Sequence, residues 1–137
     1  MALKDYSIHI FVSLIIICAT APATAHHSFV AEFDIKQPIR LRGKVTRMVL
    51  SNPHSWIYLS VTTEKGEVQE WAIEGAAPNS LIRRGWNRNS LPVGTEISVL
   101  GYRARDGSKR ASGALVTLPD GTKLPMASKG VGAPRAE

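Results

Sequence analysis

"IRLRGKVTRMVLSNPHSWIYLSVTT", residues 39–63, decides the fold class. Its opening residues alternate, with Ile39, Leu41 and Val45 set against Arg40, Arg42 and Lys44, the period-two pattern of a strand with one buried and one wet face. Gly43 occupies an inner position without a side chain, which suits a bend or bulge where a sheet curls. The run continues to about Leu50, which is long for a strand. "SNPH", 51–54, reads as a turn, because Asn and Pro both favour turns and Pro lacks the N–H that a central strand needs. Beyond it Ile57, Leu59 and Val61 share one face, while His54, Trp56, Tyr58 and Ser60 share the other.

The same alternation continues downstream. "EKGE", 64–67, is a hairpin turn, and "VQEWAIEG", 68–75, is a third strand with Trp71 and Ile73 inward and Glu70 and Glu74 outward. The period then changes. "APNSLIRRGW", 77–86, has Pro78 at a first helical position, apolar Leu81 and Ile82, basic residues in its last turn and Gly85 as terminator, and reads as one short helix. "TEISVLGYRAR" and "ASGALVTLP", separated by the turn "DGSKR", are the fourth and fifth strands, and "DGTKLP" has room for one more short strand. Three meandering strands, a helix and two further strands give an all-β domain with one short helix. The order βββ-α-ββ is that of an OB-fold, a five-stranded partly closed barrel that buries its edges. An open roll or sandwich-like arrangement of the same strands is the structural alternative.

Upstream, Lys4, the apolar stretch "IHIFVSLIIICAT" and Ala23-Thr24-Ala25 follow the order of a secretory signal peptide. The apolar part is shorter than the roughly 20 residues that span a bilayer. Residues 1–25 are therefore expected to be cleaved, leaving His26 as residue one of an exported, periplasmic or secreted protein that is not an integral membrane protein. Residues 26–38 then form an N-terminal arm, 39–126 the OB-like domain and 127–137 a disordered tail, whose composition is low in apolar residues. Cys18, the one cysteine, falls in the leader, so disulfide and thiolate chemistry is absent from the processed chain. The formal charge of +6 points to acidic neighbours. For an exported protein these are anionic glycans or envelope components, and no nucleic acid is expected.

Two sets of residues carry candidate chemistry. The processed terminus offers the His26 amine and imidazole to one ion as a chelate, and His27 and His54 are the other histidines of the processed chain. Such nitrogen sets favour Cu(II), which stands at the top of the divalent affinity order. The geometry is demanding. Twelve peptide steps from His26 to Pro38 span at most about 40 Å, and a first strand ending near His54 runs to roughly 36 Å, so the arm has to fold back nearly extended beside that strand. Phe29, Ala31 and Phe33 alternate as a docked arm requires. The second set is a basic aromatic face, Arg40, Arg42 and Lys44 beside Trp56 and Tyr58, of the kind OB-folds use to hold oligosaccharides. Glu70 and Glu74 lie about 13 Å apart along one strand face, too far for a convincing glycosidase pair, and read as solvated carboxylates. Trp86 reads as a core plug at one end of the barrel.

No hydrolase constellation or glycine-rich phosphate loop appears, so the expected class is a binding protein that is not an enzyme. Its first reading is Cu(II) capture, and its second is a metal-free module for an anionic glycan or exported partner. A copper oxidase on the same nitrogens is a third. "HHSFVAEFD", "GKVTRMVLSNPHSWIYLSV", "NSLIRRGW" and "GYRARDGSKRASGALVTLPDG" together resemble a family of small exported bacterial proteins of unknown function. That resemblance implies export and one β-barrel-like domain. It singles out His26, His27, Asn52, Pro53, His54, Trp56, Arg83, Arg84, Gly85 and Trp86, and assigns them no reaction.

Overall fold

A computed structural model describes residues 29–128 of the chain. The leader (1–25), His26, His27 and the chain from residue 129 onward lie outside the described residues. One helical turn, α1 (Phe29–Glu32), leads into β1 (Phe33–Val49), β2 (Ser55–Thr62) and β3 (Val68–Gly75). The short helix α2 (Pro78–Ile82) follows, then β4 (Glu96–Ala104), β5 (Arg110–Thr117) and β6 (Lys123–Pro125).

The strands form a six-stranded, mostly antiparallel sheet in the order β3-β2-β1-β4-β5-β6. An additional parallel pairing, β3 with β5, joins the two arms of that sheet, so β1, β2, β3, β5 and β4 make a ring. Strand β1 serves both halves. Its stretch from Pro38 to Lys44 pairs with β4, and its stretch from Lys44 to Val49 pairs with β2.

The alternation read from residues 39–63 holds in space. Leu41, Val45, Ile57, Leu59, Trp71, Ile73, Ile97, Val99 and Val116 all point inward and are buried in one cluster. The segment around α2 supplies Leu81, Trp86 and Leu91 to the same cluster. Trp86 is 2 % exposed and its indole N–H donates to the Pro125 carbonyl at 2.7 Å, the partner that a buried indole requires. Gly85, at φ +94°, adopts the left-handed conformation that ends the helix and turns Trp86 inward. The Arg84 guanidinium donates to the Ala127 carbonyl.

Three local readings are corrected. β1 begins at Phe33, so part of the expected 26–38 arm is strand, and the register with β4 shifts between Phe33 and Pro38, where proline interrupts regular pairing. The bulge in β1 lies between Val45 and Arg47, leaving Thr46 as the extra residue, and not at Gly43. Gly43 is required for a different reason: a Cβ there would lie 2.5 Å from the Ser60 carbonyl oxygen, because β1 and β2 approach closely where the sheet coils. Ala127, assigned to the tail by composition, is buried and held by Arg84.

Gly43→Ala must push against backbone and not against a flexible side chain. We expect it to cost about 1–3 kcal/mol by overpacking, read as a lower denaturation midpoint in urea with an unchanged slope.

Candidate functional site

The ring closure creates a row of residues on its outer surface. Trp56 on β2 is opposite Glu74 on β3, Glu74 is opposite Ser112 on β5, and Ser112 is opposite Tyr102 on β4. These four positions come from four strands and lie across one rung of the ring. Three of them alternate with inward neighbours, Ile57, Ile73 and Ala111, so the same period that fills the core fixes the outer row.

The first described turn of the chain lies on this row. Phe29 stacks on Phe33 at 5.6 Å between ring centroids and meets Tyr102 edge-on at 5.7 Å. Phe33, Tyr102 and Ala104 are buried in a second apolar cluster, separate from the core, against which Phe29 packs. The contact arises from the four-residue spacing of Phe29 and Phe33 across one helical turn. Ala31, the middle of the expected Phe-Ala-Phe alternation, is exposed. Polar latches surround the apolar contact. Arg105 donates from Nε to the Val30 carbonyl at 2.8 Å and pairs with Asp34 at 3.5 Å, and its backbone N–H donates to the Glu32 carbonyl at 2.9 Å.

Arg110 is the hub. Its guanidinium pairs with Glu32 of the docked turn at 2.9 Å and lies 5.9 Å from the rings of both Phe33 and Trp56. It thereby joins the start of β1 to the start of β2. Two residues before Trp56 stands His54, half-buried, with Nδ1 3.0 Å from Glu74 Oε1 and 3.3 Å from the Gly75 carbonyl oxygen. Burial pushes the Glu74 carboxyl above the ordinary carboxylate range. The neighbouring His54 opposes that shift, the charge of Glu32 adds to it and Arg110 opposes it again. Glu32, Arg110, Glu74 and His54 are thus one electrostatic unit.

This geometry changes the distance argument made from the sequence. Val49, at the end of β1, is opposite Trp56, and Phe33, at its start, packs with Tyr102, so both ends of β1 flank the outer row. Glu32 of the docked turn and His54 both act on the charge of Glu74. His26 and His27 themselves lie outside the described residues, and among the described residues no group of three His, Cys, Asp or Glu side chains could hold a metal ion.

The basic aromatic face is divided. Arg40, Arg42 and Lys44 point outward from β1 opposite Leu100, Ser98 and Glu96 of β4, and Arg42 is paired with Glu96. Tyr58 is opposite Arg47, whose guanidinium carbon sits 4.0 Å from the ring centroid. The Thr46 bulge sets this register, so the cation on Tyr58 is Arg47 and the cation near Trp56 is Arg110. Glu70 accepts from the Thr46 hydroxyl at 3.2 Å, whereas Glu74 is partly buried in the row. The sequence reading missed Glu32, Glu74 and Arg110. Their spacing carries no signal, because they meet only through ring closure.

The molecule is therefore a small, mostly antiparallel β protein with a helical plug, an N-terminal turn docked on its outer face and a histidine–carboxylate pair beside that turn. The chain belongs to DUF6152, a family of unknown function whose family model matches residues 14–113. No curated protein and no solved structure matches it. Among the described residues no helix is long and apolar enough to cross a membrane.

The raised Glu74 pKa has a stability consequence. The folded state binds this proton more tightly than the unfolded chain does, so the stability that goes with protonation is present below the unfolded value and is lost as pH rises through the folded value. Glu74→Gln, which mimics the protonated group, should melt at a higher temperature than the parent at pH 7.5. The difference should shrink as the pH falls into the acid carboxylate range, as read from thermal melts at stepped pH.

Proposed function

We propose that this is an exported, periplasmic binding protein that captures Cu(II) through a processed N-terminal histidine, using an OB-like partly closed barrel as its scaffold. The leader pattern of residues 1–25 and the cleavage site after Ala25 support export and make His26 the first residue. The amine and imidazole of His26 then form the chelate, with His54 or His27 as the third nitrogen donor. The single observation that carries this reading is the docking of Phe29–Glu32 on the outer row, tied through Glu32 and Arg110 to the surroundings of His54. His26 stands three residues before Phe29, which limits its distance from the docked turn to about 11 Å.

The amine has an ordinary pKa of about 7.7–8.0. A metal must displace its proton near neutrality, so copper affinity should rise with pH through this range. Barrel closure contributes by rigidity: the turn is seated on paired strands, so bringing His26 near His54 loses less conformational entropy than ordering a free tail would.

The test is a Cu(II) competition titration at pH 7.5, followed by electron paramagnetic resonance, on protein cleaved to begin at His26 and on a version with one extra residue before it. Tight binding with nitrogen hyperfine structure in the authentic form alone is the expected result. His26→Ala should weaken binding most, and Phe29→Ala should weaken it by loosening the turn. Equal, weak binding by the authentic and extended chains would overturn the reading.

A further inference from the structure

His54 has two ring nitrogens with different surroundings. Nδ1 faces two acceptors, Glu74 Oε1 at 3.0 Å and the Gly75 carbonyl oxygen at 3.3 Å. A carbonyl oxygen can only accept, and an ionised carboxylate can only accept, so a neutral ring satisfies both by carrying its proton on Nδ1. Nε2 is then the unprotonated nitrogen with its lone pair available. Among the described residues no hydrogen bond to Nε2 occurs.

The neighbours of this pair are fixed by backbone pairing. Ser55 pairs with Gly75 and Trp56 with Glu74 in the β2–β3 ladder, and the Ser55 N–H donates to the Ala76 carbonyl at 3.2 Å. The His54 carbonyl accepts from the Ser51 hydroxyl at 2.9 Å, which ties down the turn before β2. Both acceptors of the His54 ring come from consecutive residues at the end of β3. Strand register thus sets where both acceptors stand, one a side-chain carboxylate and the other a backbone carbonyl.

We infer that Glu74, together with the Gly75 carbonyl, is a positioning element that holds His54 in its Nδ1–H tautomer and presents Nε2 as the nitrogen that accepts a metal ion. The inference rests on the copper reading for the identity of the ion. It goes beyond that reading by assigning which nitrogen binds and which carboxylate sets it. A carboxylate behind a ligating imidazole fixes the ring and raises its basicity, and loss of such a partner typically costs about 10- to 100-fold in metal affinity. Arg110 and Glu32 complete the arrangement. The guanidinium pairs with Glu32 of the docked turn at 2.9 Å and lies 5.9 Å from the ring of Trp56, the residue opposite Glu74.

The assignment is tested in two arms on the processed full chain. The first needs no metal: long-range ¹H–¹⁵N correlation of ¹⁵N-histidine-labelled protein at pH 8 reads the tautomer directly. His54 should show a protonated Nδ1 and a pyridine-like Nε2 in the parent and in Glu74→Gln, whose amide oxygen still accepts. In Glu74→Ala it should move toward the mixture of a free imidazole. A dominant Nε2–H form in the parent would overturn the proposal. The second arm measures Cu(II) affinity by competition. Glu74→Ala should lose about 10- to 100-fold, Glu74→Gln should recover most of that loss, and His54→Ala should lose at least as much as Glu74→Ala. Equal affinities of Glu74→Ala and the parent, with His54→Ala weakened, would overturn the role of Glu74 while leaving the copper reading intact. Equal affinities of His54→Ala and the parent would remove His54 as a ligand, and the tautomer measurement would then decide the hold of Glu74 on the ring by itself.

Discussion

The parallel pairing of β3 with β5 is the constraint on which the rest of this structure depends. It involves only Ala72, Ile73 and Glu74 against Arg110, Ala111 and Ser112. Without it the strands would be an open sheet with β3 at one edge, and the two ends of β1 would lie far apart along the sheet. With it, the inward side chains of five strands face one another across a common core, and an edge with unpaired N–H and C=O groups is covered. The same three residue pairs place Glu74 next to Arg110 and Ser112 on the outside. Closing the core and assembling the outer row are one event.

The outer row differs from the core in its chemistry. Inside, apolar side chains meet with little polar demand. Outside, aromatic groups from four elements accompany a cation, two carboxylates and an imidazole, with Arg110 near the rings of both Phe33 and Trp56. Partial burial strengthens each electrostatic contact and makes the carboxylate of Glu74 costly to ionise. Such a group persists at low cost only where opposite charges offset its burial, and here they come from His54, just before β2, and Arg110 on β5. The arrangement gives a short stretch of chain before β1 a defined seat.

The fold was largely legible in the sequence because its determinants are local. Period two in residues 39–63 and 68–75, proline and glycine around 78–85 and the turn residues of 106–110 each act through their neighbours in the chain, and the structure places strands and helix accordingly. Gly43 illustrates the limit of local reading. Its importance was apparent, but the bulge lies at Thr46, since bulge placement depends on cross-strand register with β2. Arg47 on Tyr58 follows from the same shift, which is why the cations expected there from alternation, Arg40, Arg42 and Lys44, stand along β4 instead. The helical turn at Phe29–Glu32 has no signature in the sequence because it is stabilised by Tyr102, far along the chain, and a four-residue turn has no periodicity of its own.

The sequence by itself determined which residues face inward, that a short helix starts at Pro78, that Trp86 plugs the core, and that His54 shares a face with Trp56. These follow from backbone stereochemistry and the burial of apolar side chains, which any short segment expresses. Only the tertiary structure decided that Glu74 is the partner of His54, that Arg110 pairs with Glu32, and that the same guanidinium lies near the rings of both Phe33 and Trp56. Those relations join residues from opposite parts of the chain, and they come into being when the β3–β5 register closes the ring.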